Sequence, residues 1–508
     1  MEKLALMPVF QDGMILQRDR SCEIWGHAEG RVTVELDGAS VSAEAENGRF
    51  RVTLPPHAAG RGYTLTAVCG DERVCVSDVC FGDVFIFSGQ SNFETPCRRV
   101  LDVSAREIAR ADYPYIREYK INASYGFDGP TDGVTPGVWK RAGGAEIYDM
   151  SAPAFFFAKE LYERDGVPIG IILNAIGGSG ISSWMPREAL DEKQESFLKL
   201  YLDLLSSPPP SPPPGEETSS ERWDREINRG EPEKRDGYFE VPGMTMGTAL
   251  DGFSGSVWFY REVMLDSEPE GDGFIYVGEL IDSDETFING VKVGETGYRY
   301  PPRKYTVPAG ILKKGVNEIK LRLVINGGQG GFIPEHPYWL RAGADENEEK
   351  IPLTGRWEYA VEGRSTPPAF GGGMMPPAAV PTGLFNSAVA PLRGLRFKGV
   401  LWYQGESDTS AAAEYTGRFA AMIKGWREAL DEDFKVICVE MPDYCDPITG
   451  IDPGWAEMQK VQRELPQHVK DCVTVSARDL GAPYELHPQY KKELGVRLAA
   501  AGRKLFYE

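Results

Sequence analysis

The sequence predicts an α/β fold: a parallel sheet with helices on both faces, preceded by an N-terminal β-sandwich and interrupted by a second, inserted β-sandwich. Three observations lead there. The 508 residues exceed what one hydrophobic core usually supports, so several domains are expected. Fifty-seven glycines and thirty-seven prolines supply the turns of a chain rich in β-structure. The texture also changes along the chain, from short alternating runs to buried strands alternating with helices, and back again.

In chain order, residues 1–80 carry "RVTVELDG", "RFRVTLP" and "GYTLTAVCG", alternating apolar runs parted by Gly, Asn and Asp, which predict the first sandwich. Residues 81–240 begin the α/β part with "VFIFSG" and "VPIGIILNA" as buried strands and "APAFFFAKELYERDG" as a helix. The stretch "SSPPPSPPPGEE" at 206–217 is a polyproline spacer. Residues 241–370 return to β-texture, with "FINGVKVG" placing an Asn-Gly turn between two apolar runs, a strong hairpin signal. Residues 371–508 resume the α/β pattern through "FKGVLWYQG", "FKVICVEM", "CVTVSARD" and two long helices.

A formal charge of −21 argues against nucleic acid or an anionic membrane surface as a partner, and no apolar run approaches the ~20 residues of a membrane span. The first residues show no apolar core with a cleavage site, and the eight cysteines contain no C-x-x-C pair. A cytoplasmic chain with reduced thiols is expected, although Cys69, Cys75 and Cys80 lie close enough in sequence for a disulfide. His27, His57, His336, His468 and His487 form no metal-ligand spacing, and no dinucleotide glycine motif follows a strand, so no metal and no cofactor are expected. Oligomeric state is not readable from the sequence.

Four segments fall at the carboxyl ends of predicted strands, the edge where open α/β sheets bind ligands. They are "SGQSN" with Ser91, "NAIGGSGISSW" with Gly177 and Gly178, "WYQGESD" with Gln404, and "YELHPQYK" with His487. Together they supply a hydroxyl, a base and donors for a developing oxyanion, the parts acyl transfer needs. No G-x-S-x-G occurs, so the nucleophile elbow of α/β-hydrolases is absent. Glu406 and Asp408 invite a glycosidase reading, but residues two apart give no sign of the ~5 to 9 Å straddling of a glycosidic bond. Trp184 and Trp402 read as packing residues rather than sugar platforms.

The segments "FSGQSNFE", "GGSGISSW", "PTGLFNSAVAPL", "GVLWYQGESD" and "LHPQYKKELGVRLA" resemble, in order and spacing, the sialate O-acetylesterase family of SGNH-type hydrolases. The likeness extends to both β-modules. It implies an SGNH or flavodoxin-like sheet and a jelly-roll-like inserted sandwich. The implied function is a serine esterase that removes O-acetyl groups from carbohydrate, most of all sialic acids, through an acyl-enzyme. Carried over residue by residue, Ser91 is the nucleophile and His487 the general base. The Ser91 amide, the Gly178 or Gly177 amide and the Gln404 side chain are the implied oxyanion donors. Where the superfamily places Asn two residues after its third-block glycine, Ser407 stands here, hence the choice of Gln404. Where it places Asp three residues before the histidine, Tyr484 stands here. Glu485 is the nearest carboxylate and is taken as the orienting acid. Asp479 farther upstream, or a backbone carbonyl leaving a Ser-His dyad, are the alternatives. Two other functions are weighed: deacetylation of another glycan such as acetylxylan, and a non-catalytic carbohydrate-binding protein.

Overall fold

The computed structural model describes residues 4–207, 216–345, 347–367, 375–446, 453–482 and 484–508. Most of the polyproline spacer therefore lies outside the described residues. The chain is a mixed α/β protein built from several sheets.

The central sheet runs, in spatial order, Trp139–Gly143, Asp112–Lys120, Ile169–Ala175, Glu72–Gly89, Gly399–Tyr403, Val436–Glu440 and Cys472–Ser476. Its pairings are parallel except that between the first two strands. The strands Ile169–Ala175, Gly399–Tyr403 and Val436–Glu440 are buried at every residue. Burial on both faces explains why they read as continuous apolar runs. Arg49–Leu54, by contrast, alternates exposed and buried, as a strand with one wet face does. Two helix pairs accompany the sheet: Ala152–Asp165 with Lys491–Tyr507, and Ala412–Leu430 with Pro453–Glu464.

The strand Glu72–Gly89 joins two units. Its first half pairs antiparallel with Gly60–Cys69 of the N-terminal strands, and its second half enters the middle of the parallel layer. One continuous apolar core accordingly runs from Val32 and Val34 through Phe85 and Phe87 to Leu401 and Ile437.

Between the strands Ile169–Ala175 and Gly399–Tyr403 the chain forms separate sheets. The largest is antiparallel, in the order Gly237–Val241, Gly355–Arg364, Gly255–Leu265, Gly315–Ile325, Ser283–Ile288 and Val291–Thr296. Smaller four-stranded and three-stranded sheets accompany it. This block has its own core around Phe239, Phe259, Ile275, Leu321 and Trp357. Asn289 and Gly290, with φ of 50° and 80°, make the two-residue turn that pairs Ile288 with Val291.

All eight cysteines are free thiols, so Cys69, Cys75 and Cys80 form no disulfide. Among the described residues no helix is long and apolar enough to cross a membrane.

Candidate active site

The register of the parallel sheet brings the predicted segments together. Gly89 pairs with Ala175 on one side and with Tyr403 on the other, so the turns after these three strands leave the sheet side by side. At Gly89 the chain adopts φ +131°, and a Cβ there would lie 2.1 Å from the Tyr403 carbonyl oxygen, so only glycine lets the turn sit this close. Gln90 and Ser91 follow at once, with Ser91 the first residue of the short helix Ser91–Glu94. Ser151 steadies that helix, its Oγ donating to the Phe93 carbonyl at 2.7 Å.

The Ser91 hydroxyl lies 2.8 Å from His487 Nε2. His487 is buried and sits in the loop before the helix Lys491–Tyr507, with the edge of the Tyr300 ring packed against it. Burial holds its pKa well below the ordinary 6.5, and the positive charges of Arg99 and Lys491 push the same way. The imidazole is therefore neutral. Its Nδ1 is buried and has no hydrogen-bond partner among the described residues.

That geometry corrects the expectation for Glu485. Its Oε1 accepts from the backbone N–H of His487 at 2.9 Å, and its Oε2 lies 2.5 Å from His336 Nε2. Both oxygens are thus turned away from the His487 ring. Two residues are too short a span for a side chain to reach back to the neighbouring imidazole once the turn has committed it to the backbone. Asp479 does not replace it: it is exposed and ion-paired at 2.6 Å with Arg497.

Gln404 is also corrected. Its amide nitrogen donates to the Ser179 carbonyl at 3.1 Å and to Asp408 Oδ2 at 2.6 Å, and its oxygen accepts from Tyr415 at 2.8 Å. Every polar atom is spent on fixing the buried loops behind the site, which leaves no N–H for a substrate. The side chain that lines the cleft is Gln90, whose oxygen accepts from the Gly405 and Ser407 amides at 3.4 Å.

The glycine pair divides in two. Gly177 N–H donates to Glu94 Oε2 at 2.9 Å, whereas Gly178, with φ +72° and open space around its α-carbon, lines the cleft beside Ser91. Among the described residues, neither the Ser91 nor the Gly178 amide takes an acceptor.

Asp408 also accepts from the Ile181 amide at 2.8 Å, so it ties loops together rather than facing a glycosidic bond. Trp184 and Trp402 are fully buried, edge to face at 5.9 Å, and belong to the core. Behind Ser91 runs a polar network that sequence reasoning missed. Asn92 Nδ2 donates to Glu406 at 2.6 Å and to the Leu486 carbonyl at 3.1 Å, while Lys491 donates to Asn92 Oδ1. Burial brings the Lys491 ammonium down to about 7, against the opposing pull of Glu406 and Glu485. Asn92 was visible beside Ser91, but nothing in the local pattern marked Lys491 as buried.

The cleft holding Ser91 and His487 has a volume of about 1100 Å³. Part of its wall, Tyr298, Tyr300 and Pro301, comes from the block between the two halves of the parallel sheet. On the rim Lys120 pairs with Glu94 at 2.8 Å and Lys140 with Asp149 at 3.2 Å. Arg99 donates to the Tyr300 carbonyl and, among the described residues, has no carboxylate within ion-pair distance.

Residues 368–504 match the family model described as carbohydrate esterase, sialic acid-specific acetylesterase. The chain is 28% identical over 197 residues to the sialate O-acetylesterase of Rattus norvegicus, covering 35% of this chain and 36% of that protein. It is 26% identical over 199 residues to the Homo sapiens sialate O-acetylesterase, covering 35% and 38%. The matched stretch thus spans little more than a third of these relatives. Over its whole length the fold is similar to the crystal structure of a carbohydrate acetylesterase from Xanthomonas citri, with a TM-score of 0.60 and 21% identity, covering 99% of this chain and 75% of that one. The similarity to the sialate O-acetylesterase family model lies in residues 368–504, and the similarity of fold to the carbohydrate acetylesterase extends over nearly the whole chain.

Proposed function

We propose that this chain is a serine esterase that removes O-acetyl groups from carbohydrate, with O-acetylated sialic acids as the preferred substrates. The observation that carries the reading is the 2.8 Å contact of Ser91 Oγ with a buried, neutral His487 at the wall of an open cleft. In the proposed sequence His487 Nε2 takes the Ser91 proton as Oγ attacks the acetyl carbonyl. The Ser91 and Gly178 amides receive the negative charge that develops on its oxygen. His487 then protonates the departing sugar hydroxyl. Water, deprotonated by the same nitrogen, attacks the acyl carbonyl, and acetate leaves as the C–Oγ bond breaks and His487 returns the proton to Ser91 Oγ.

Base action at Nε2 requires the proton on Nδ1, and with no carboxylate there among the described residues the catalytic pair is read as a dyad. An unpaired buried N–H costs about 1–3 kcal/mol. The fold of His487 into its loop must offset that cost.

Arg99 favours an anionic sugar. A guanidinium on a cleft wall with no carboxylate partner among the described residues is matched by a substrate carboxylate, which sialic acids carry and unbranched xylo-oligosaccharides lack. The parallel layer is proposed as the SGNH-type catalytic part, with the block between its halves as a jelly-roll-like inserted domain. A cytoplasmic location is proposed on the free thiols alone.

Acetate release from a panel of O-acetyl sialic acids and acetylated xylo-oligosaccharides tests the reading. Faster hydrolysis of the sialates is expected. The reverse order moves the substrate to neutral glycans, and no release from any member leaves a carbohydrate-binding protein. Because His487 is held neutral below its ordinary range, kcat/KM should persist as pH falls through 6.5 and decline only as the depressed imidazole gains its proton. An acid limb at or above pH 6.5 contradicts the assignment of His487.

A further inference from the structure

We propose that His336, carried by the block inserted between the halves of the parallel sheet, is a positioning residue for His487 and acts through Glu485. The proposal rests on the esterase reading for its catalytic consequence, and on geometry for the contact itself. His336 Nε2 lies 2.5 Å from Glu485 Oε2, and Glu485 Oε1 accepts the His487 backbone N–H at 2.9 Å. All three residues are buried, His336 and His487 to 7% exposure and Glu485 to 5%. The path from His336 to the catalytic ring is one carboxylate long.

His336 is itself fixed from the other side. Its Nδ1 lies 3.3 Å from the Tyr276 hydroxyl, which donates to Asp102 at 2.7 Å. Asp102 also accepts from Gln489 at 2.9 Å. The loop bearing His487 is thus pinned two residues before the histidine and two residues after it, and both pins lead to Tyr276 of the inserted block.

Glu279 faces the same imidazole at 3.5 Å. Two carboxylates and an imidazole within 4.8 Å of one another also make a candidate cation site. The distances decide against it. Zinc bonds of about 2.0–2.1 Å in tetrahedral array set ligand atoms about 3.3 Å apart, and the 2.5 Å between His336 Nε2 and Glu485 Oε2 is well inside that, closer to the roughly 2.7–2.9 Å of a charge-assisted N–H···O hydrogen bond. A hydrogen bond with the His336 ring as donor fits this spacing. Burial alone would lower the His336 pKa, but the hydrogen bonds and charges of Glu279 and Glu485 outweigh it and push the imidazole up to about 9. His336 is therefore an imidazolium clamped between carboxylates, whereas His487, one link away, is neutral.

The test compares wild type with His336→Ala and with His336→Gln, whose amide reaches about as far as Nε2 and still donates to Glu485. Amide hydrogen exchange reads the loop without reference to activity. His336→Ala should speed exchange around His487 by roughly tenfold or more. It should lower kcat on p-nitrophenyl acetate by about 10- to 100-fold, as a displaced catalytic group does, with KM within about twofold. His336→Gln should restore both to within about threefold of wild type. Unchanged exchange in His336→Ala overturns the proposal, as does equal damage from Ala and Gln, which would mark His336 as packing only. Zinc or a chelator should change neither quantity, and a zinc-dependent change replaces the proton by a cation. If wild type hydrolyses no acetyl ester, the esterase reading fails, and the exchange comparison still decides whether His336 holds the His487 loop.

Discussion

Replacing Ser91 by alanine is expected to lower acetyl-ester hydrolysis by roughly 10⁴- to 10⁶-fold, the loss that follows removal of a nucleophile from a serine hydrolase. The fold should survive. Ser91 is half-buried at the end of a strand, and its hydroxyl makes one side-chain contact, to His487. The backbone around it is held by other groups: Gly89 against Tyr403, Ser151 on Phe93, and Asn92 on Glu406 and Leu486. Turnover of p-nitrophenyl acetate and the circular dichroism spectrum of Ser91→Ala check both halves of this expectation. A variant that keeps more than a few per cent of wild-type turnover removes Ser91 from the mechanism.

His487→Ala should fall about as far, roughly 10⁴-fold or more, and the double variant Ser91→Ala/His487→Ala should fall little further, because residues acting as a unit are not additive. The stability of His487→Ala is a separate matter. Removing the ring also removes a buried Nδ1 that has no partner, and with it an unfavourable term of about 1–3 kcal/mol. The lost packing against Tyr300 opposes that gain. Thermal unfolding beside the kinetic comparison separates the two: a catalytic histidine loses turnover with little change in melting temperature. Parallel losses in both would make His487 a structural residue.

That Ser91 and His487 would meet was legible because each is announced locally. Phe85, Ile86 and Phe87 before Gly89 give a buried strand and a tight turn, and the chain order of the four strand-end segments matches that of a known family. The parallel layer was legible for the same reason, since strands buried on both faces leave continuous apolar runs. Side-chain direction was not. Glu485 is the nearest carboxylate in sequence, yet its oxygens are claimed by a backbone N–H two residues away and by a histidine 149 positions upstream. Gln404 stands at a strand end like a donor, but Tyr415 and Asp408 take its amide. In both cases the competing partner comes from elsewhere in the chain. No local pattern records which of two hydrogen bonds a carboxylate or an amide will make. The same holds for His336, which meets Glu485 of the loop bearing His487, and for Glu279 beside it, both carried by the block between the halves of the parallel sheet. The N-terminal strands illustrate the converse: they read as a separate sandwich, and the structure gives them one core in common with the parallel layer.

In the proposed mechanism Ser91 Oγ, activated by His487, attacks the ester. The most direct measurement is covalent labelling with an organophosphonate that forms a stable serine adduct, followed by peptide mass spectrometry. One adduct per chain is expected, on Ser91, with loss of activity in proportion to labelling and with little labelling in His487→Ala. Inactivation with the adduct on another side chain, or full activity after Ser91 is modified, would contradict it.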